Sequence, residues 1–417
     1  MASGIPRMRL AALALLCLLP ATARSQEVPP TVSMQGWRPT LTLGGGDVVL
    51  QPSLRFDLDG GTFWDQPQND GQPRRFDGGF NVRRARLGVQ GTVLRDFTYN
   101  VTWQFEPDPG KQFDWASVYL MDGWIAYSGL PWVTFRVGAF TPLNTLDYSG
   151  SSFETLFMER ASIINIAASI ATGDSRYGAG AELHSDRLFG AFYATDGVST
   201  TRDDGNQRGL AGRVAALAVD TEEVKLLVGG SASYQFQPGT SGNATIRLRD
   251  YPQLRLSPLQ LLNTGSMPAD AASAIGPELS GTVGKLLFQG EYQRIQVDRT
   301  NGTNPIFQGY YLSLAYPLIG QARRYDSHRA VWTRPHFAEL DPAQGHWGYL
   351  ELATRYSSAN LFDGAVRGGH QTIWGTALNW YPFRALRASV EYQVGQITLD
   401  GPNRGFQSIG VRLSVAL

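Results

Sequence analysis

Cysteine is nearly absent. The 417-residue chain holds one, Cys17, inside an apolar stretch near its start, so disulfides and cysteine-built metal sites are excluded for everything after it. Lysine is scarce as well: Lys111, Lys225 and Lys285 stand against 33 arginines. Net charge is missing, with 36 basic and 36 acidic side chains, which rules out a strongly basic nucleic-acid binder. No apolar run reaches the roughly 20 residues of a membrane-spanning helix, and mean hydropathy is −0.20. A polytopic helical membrane protein is therefore excluded. A membrane β-barrel is not, because its strands alternate apolar and polar residues. The five histidines, His184, His328, His336, His346 and His370, form no HExxH-type pair, and there is no GxSxG elbow or P-loop. Nothing in the sequence calls for a catalytic group, a metal or a cofactor.

What is present is glycine, 47 residues, and aromatics at 11%, with charged residues at only 17%. That mixture fits an all-β chain. Period-two alternation recurs along it, the mark of strands with unlike faces. Phe97, Tyr99, Val101, Trp103 and Phe105 alternate with Thr98, Asn100, Thr102 and Gln104. Leu386, Ala388, Val390, Tyr392 and Val394 alternate with Arg387, Ser389, Glu391 and Gln393, and Ile409, Val411, Leu413 and Val415 with Ser408, Gly410, Arg412 and Ser414. Ala85, Leu87 and Val89 oppose Arg84, Arg86 and Gln90, while Leu54 and Phe56 oppose Arg55 and Asp57.

A soluble sandwich would turn the apolar face inward; a membrane barrel turns it to lipid and keeps a polar lumen. Strands of about ten residues suit a bilayer crossing. Short links at Leu94-Arg95, 128–131, Ser185-Asp186 and Pro382-Phe383 alternate with long segments at 59–80, 141–174 and 237–277, the asymmetry of outer-membrane barrels. Aromatics such as Trp132, Phe140, Tyr310, Trp374 and Tyr381 sit near strand ends, as interfacial girdles do. The pattern predicts a transmembrane antiparallel β-barrel of about sixteen strands, at 47–58, 82–93, 95–106, 114–127, 132–140, 175–184, 187–195, 207–219, 223–236, 275–283, 285–297, 307–316, 346–357, 370–381, 385–399 and 405–417. Residues 317–345 are long for the short-turn side.

The first residues read as an export signal. Arg7 and Arg9 precede the apolar run Leu10 to Leu19, Pro20 ends it, and Ala21-Thr22-Ala23 or Ala23-Arg24-Ser25 offers a cleavage site. The expected organisation is a leader over 1–25, a short periplasmic segment over 26–46 and the barrel over 47–417.

An ordered set of short stretches completes the reading. It begins with Val82-Arg83-Arg84-Ala85-Arg86-Leu87 before Gly88 and Gly91, then Val137-Gly138, Phe140, Pro142, Ser151-Ser152 and Phe157-Met158-Glu159-Arg160. Glu291-Tyr292, Gly309-Tyr310-Tyr311, Arg324-Tyr325, Glu351 to Ser357 and Asn379-Trp380-Tyr381-Pro382 follow. In these the chain resembles the phosphate-selective porins O and P. The resemblance implies a trimeric, sixteen-stranded outer-membrane anion channel whose third and fifth loops and one long periplasmic turn fold into the lumen. It would account for 141–174, 237–277 and 317–345. The expected partners are small anions such as phosphate, outer-membrane lipid and two further copies of the chain, with the outer membrane of a Gram-negative bacterium as the location. Two departures stand out: three lysines cannot build the family's lysine cluster, and the chain ends on Leu417 rather than an aromatic residue.

An anion pore replaces lost hydration with donors and positive charge, and arginine offers oxyanions a permanently charged planar fork. Alternation puts Arg55, Arg84, Arg86, Arg136, Arg355, Arg387 and Arg412 on the polar face. Arg84, Arg86, Arg160 and Arg176 are the expected constriction, with Ser151 and Ser152 as further oxyanion donors and Glu159 as a brace. The remaining arginines are expected to line the pore or to hold folded-in loops. A general or cation-preferring porin stays open on the equal charge counts. So does a non-channel barrel acting as an adhesin, a structural protein or a hydrolase.

Overall fold

The computed structural model describes residues 28–35, 37–66, 75–105, 118–173, 175–199, 206–240, 244–399 and 403–417. The expected leader with Cys17, Lys111 and the first four residues of the expected strand 114–127 lie outside them.

Among the described residues sixteen antiparallel strands close into one barrel. They are β1 (Val48–Trp64), β2 (Gly79–Val93), β3 (Phe97–Phe105), β4 (Val118–Leu130), β5 (Val133–Phe140), β6 (Arg176–His184), β7 (Leu188–Val198) and β8 (Gln207–Asp220). The second half comprises β9 (Val224–Pro238), β10 (Met267–Val283), β11 (Leu286–Arg299), β12 (Ile306–Ile319), β13 (Tyr349–Asp363), β14 (Val366–Phe383), β15 (Leu386–Thr398) and β16 (Asn403–Ala416). Each strand pairs with its chain neighbours, and β16 closes on β1 with Arg412 opposite Asp59. The alternation predicts this arrangement strand for strand. Ile409, Val411 and Leu413 point out of the barrel, while Ser408, Arg412 and Ser414 are buried within it.

The ends of the strands differ from expectation. β10 begins at Met267, and β13 and β14 approach each other to within a tight turn after Asp363, so the long-loop side stands taller than the apolar pattern indicates. Pro382 and Phe383 belong to β14 rather than to a link. The turn expected at Leu94-Arg95 is one residue longer than predicted, running from Leu94 to Asp96 between paired Val93 and Phe97. Leu94 and Arg95 both have positive φ, 52° and 65°, a conformation that non-glycine residues adopt mainly in tight turns. Ahead of the barrel a hairpin of Thr31–Gln35 and Arg38–Leu43 adds to the start of β1, with Leu41 opposite Leu50. Trp37 beside it donates to Glu339 at 2.8 Å.

Among the described residues three segments occupy the lumen: L3 (141–173 and 175), L5 (239–240 and 244–266) and the long turn 320–348. L3 carries two short helices, α1 (Leu146–Ser149) and α2 (Ser162–Ala168). A uniformly polar lumen is expected from the sequence, and the structure corrects this. Ile163, Ile164, Ile166 and Ala167 of α2 pack on inward-facing Ala272, Ile295, Val297, Phe307 and Leu361 of the wall, together with Ile246 and Leu262 of L5. Those wall positions are apolar because they meet a helix rather than water.

Candidate lumen constriction

L3 is held in place by side chains rather than by a strand ladder. Asn379 donates to Leu156 O at 2.8 Å, Tyr381 and Arg387 to Phe153 O at 3.3 and 3.0 Å, and Arg355 to Glu159 O at 3.1 Å. Glu391 accepts the Met158 N–H at 2.7 Å. Each contact satisfies a main-chain group that burial would otherwise leave unpaired.

The arginines of β1, β2 and β16 converge on this loop. Arg84 reaches Asp57 at 2.9 Å and Arg55 reaches the same carboxylate at 2.8 Å. Arg412 forks onto Asp59, both contacts 2.6 Å, and continues to Glu159 at 2.8 Å and to Met158 O. Arg83 grips Glu159 at 2.7 and 3.2 Å, and Arg255 of L5 lies 3.6 Å from it. Burial alone would raise the Glu159 carboxyl; the charges of Arg83, Arg255, Arg412 and Arg84 outweigh it and hold the group well below the usual carboxylate range.

Arg83 is the residue that alternation misses. Asp57 pairs with Arg84, but Leu58 pairs with Val82, leaving Arg83 as an extra residue in β2. The bulge turns two successive side chains inward. A signal was there: Val82 and Ala85, both suited to lipid, flank two adjacent arginines, which a straight strand cannot accommodate.

The other expected site residues are distributed around the lumen. Arg160 is half-buried in L3; its Nε donates to Asp147 O at 3.0 Å and its guanidinium lies 4.2 Å from the Tyr148 ring centroid. Among the described residues Arg160 makes no ion pair. Arg86 is half-buried and donates to Gln104 at 2.7 Å. Arg176 is buried at the end of L3, where it donates to Ser169 O at 3.2 Å and Gln207 at 2.7 Å. Ser151 is exposed and accepts the Phe153 N–H at 3.3 Å; the Ser152 carbonyl accepts from Arg55 at 3.4 Å. Arg136 forks onto Glu182 at 2.9 and 3.0 Å beneath Trp124. Arg355 stacks 4.1 Å from Phe157 and donates to Gln253. Arg387 donates to Ser389 at 2.8 Å and Asn379 at 2.7 Å. Ion pairs outside the expected set fix the long turn: Arg213 with Glu278 at 2.7 Å, donating also to Arg329 O and Ala330 O, Arg323 with Glu351 at 2.7 Å, and Arg334 with Glu154 of L3 at 2.9 Å. The rings of His184 and His328 lie 4.2 Å apart, and no group of three potential metal ligands occurs among the described residues.

Taken together, L3 meets the wall where five arginines share four carboxylates: Asp57 serves Arg55 and Arg84, Glu159 serves Arg83, Arg255 and Arg412, Asp59 also takes Arg412, and Asp250 lies 3.6 Å from Arg255. Known proteins are similar to this chain in sequence and fold. A protein of Caulobacter vibrioides, described only as uncharacterized, is 27% identical over 383 residues, spanning 89% of this chain and 73% of that one. Porin O of Pseudomonas aeruginosa is 25% identical over 420 residues, spanning 87% and 90%. Among solved structures, a loop L8 deletion mutant of OmpT, an outer membrane protein of Vibrio cholerae, superposes with a TM-score of 0.54 at 15% identity, covering 89% of this chain and all of that one. The model of the phosphate-selective porins O and P matches residues 56–415, nearly the whole barrel from β1 to β16, and the chain belongs to that family of outer-membrane porins.

Proposed function

We propose that this porin passes small solutes by diffusion with a preference for anions, phosphate or another small oxyanion among them. The observation that supports the reading is the surplus of guanidinium over carboxylate where L3 meets β1, β2 and β16, joined by Arg160 on the loop itself. Selectivity answers to the field at the narrow point and not to the charge of the whole chain. Arg86 and Arg160 with Ser151 and Ser152 are the proposed anion contacts, while Arg176, expected there from the sequence, is buried against Ser169 O and Gln207 and braces the end of L3 instead. Arg55, Arg84, Arg136, Arg355, Arg387 and Arg412 support the field while bracing L3 or the wall. The barrel acts as a channel and not as an enzyme, is exported by a leader cleaved near residue 25, keeps 26–46 on the periplasmic side and assembles as a homotrimer.

The test is the reversal potential of the purified protein in a planar bilayer under a salt gradient. Anion preference is expected, lowered by Arg160→Ala and little changed by Arg299→Ala. The second substitution lies at the far end of β11, and charges beyond a screening length of about 8 Å at physiological salt are felt weakly. A cation-selective sign in the native protein would end the reading. Mass measurement in detergent addresses assembly: three chains per particle are expected, and a stable monomer overturns the trimer.

A further inference from the structure

Most acidic side chains buried on the barrel wall face an arginine: Asp57, Asp59, Glu182, Glu278 and Glu351 each do. Glu291 on β11 and Glu391 on β15 differ, each accepting main-chain N–H groups of L3, and Glu291 alone of the two takes them from a helix start. Glu291 is 3% exposed, and among the described residues it makes no ion pair. Its two oxygens instead accept the main-chain N–H groups of Leu146 and Asp147, both at 3.0 Å, and Tyr311 donates its hydroxyl at 2.9 Å. Leu146 and Asp147 open α1, and Thr145 Oγ1 takes the next N–H, from Tyr148. The wall carboxylate thus fixes the position and tilt of α1 from outside the loop. α1 in turn carries both surfaces that hold Arg160: the Asp147 carbonyl that its Nε donates to, and the Tyr148 ring under its guanidinium.

We infer that Glu291 is a positioning residue for ion selectivity: it anchors α1 and thereby aims the Arg160 guanidinium into the lumen. This rests on the reading of Arg160 as an anion contact. The inference has a signature in sign. A carboxylate that acted on permeating ions through its own field would oppose anions, so removing it would raise or leave anion preference. A carboxylate that positions Arg160 does the opposite, and its removal lowers anion preference.

The experiment compares the native protein with Glu291→Gln, Glu291→Ala, Arg160→Ala and the Glu291→Ala/Arg160→Ala pair. Folding is confirmed by the heat-dependent shift of the barrel on gels, and chloride-to-potassium permeability ratios are measured in bilayers. Glu291→Ala is expected to lose most of the anion preference that Arg160→Ala loses, and the pair to lose no more than Arg160→Ala alone. Glu291→Gln, whose amide oxygen still accepts one of the two N–H groups, is expected to fall between native and alanine, and it carries the test if the alanine variant does not fold. A ratio that rises or stays native in both Glu291 variants, while Arg160→Ala lowers it, overturns the inference. If Arg160→Ala is itself without effect, the functional reading fails instead. The positioning claim is then read from Arg160→Cys, whose rate of modification by a charged thiol reagent should change when Glu291→Gln is added; an unchanged rate overturns it.

Discussion

The wall from β13 to β16 and the wall from β2 to β4 are made of the same alternating strands and face the same lumen, yet their inner surfaces differ. On β13–β16 the inward residues are buried: Glu351, Arg355, Ser357, Asn379, Arg387, Glu391, Gln393 and Arg412 are each at most 5% exposed. On β2–β4 Arg83, Arg84, Thr102 and Gln104 are buried too, but the inward Arg86, Gln90, Thr98, Asn100 and Asp122 remain half-exposed. The first wall is covered by L3 and L5, and its polar groups serve to hold them. The second is uncovered over much of its height, and its polar groups meet solution. Side chains of similar chemistry are therefore structural on one wall and available to solutes on the other, which no count of lumen charges reveals.

Substitutions on the two walls sharpen this contrast. The largest effect belongs to the covered wall. Glu159→Gln strands the arginines that share the carboxylate, and breaking such a buried pair costs about 3–5 kcal/mol; chemical denaturation in detergent should show it, and a loss below about 1 kcal/mol would mean the loop is held by its apolar packing alone. Next comes Arg86→Ala on the open wall. It removes the hydrogen bond to Gln104, a loss of about 1 kcal/mol, while reducing anion preference in the bilayer. A large stability loss with unchanged selectivity would make both walls alike. The smallest effect is one of pH. A carboxyl whose folded pKa is depressed contributes stability that is complete above its unfolded value, near 4.3 for glutamate, and is lost as pH falls through the lower folded value. The stability difference between native protein and Glu159→Gln should hold from pH 7 to about 4.3 and shrink only in stronger acid. Shrinkage already at pH 6 would show that Arg83, Arg255 and Arg412 do not hold the group ionised.

The strands were legible because lipid on one side and lumen on the other impose period two over long stretches, as in 97–105 and 386–415. Their outer ends were less so. Above the bilayer the outer face need not be apolar, and β13 and β14 continue through Asn360 and Arg367 without the pattern. The apolar inner patch at Ile295, Val297 and Phe307 blurred the two faces, since a helix covers it. Arginine as the working cation was legible from composition and alternation. Which carboxylate each arginine takes was not. Arg83 and Glu159, or Arg323 and the Glu154 carbonyl, meet because a loop folds inward, and periodicity carries no information about where a loop goes. Glu291 and Tyr311 stood among the stretches that carry the family resemblance, but nothing there pointed to α1, since the N–H groups of Leu146 and Asp147 are main-chain groups that any sequence would supply.

The bulge in β2 bears on how the barrel is assembled. A strand that pairs one residue out of step turns all its side chains to the other face. A straight β2 in one phase would put Arg83 toward lipid; in the other phase it would put Arg84 and Arg86 there. Each misplaced arginine costs about 2–4 kcal/mol near the bilayer midplane. Of the pairings between β1 and β2, the bulged one alone keeps all three in the lumen, with Asp57 opposite Arg84 and Asp59 opposite Asn81. β1 also receives β16 when the barrel closes. The adjacent arginines therefore act as an alignment mark: any slipped pairing of β1 with β2 is penalised by an arginine in lipid, and because β1 also pairs with β16, the seam that closes the barrel depends on the same register.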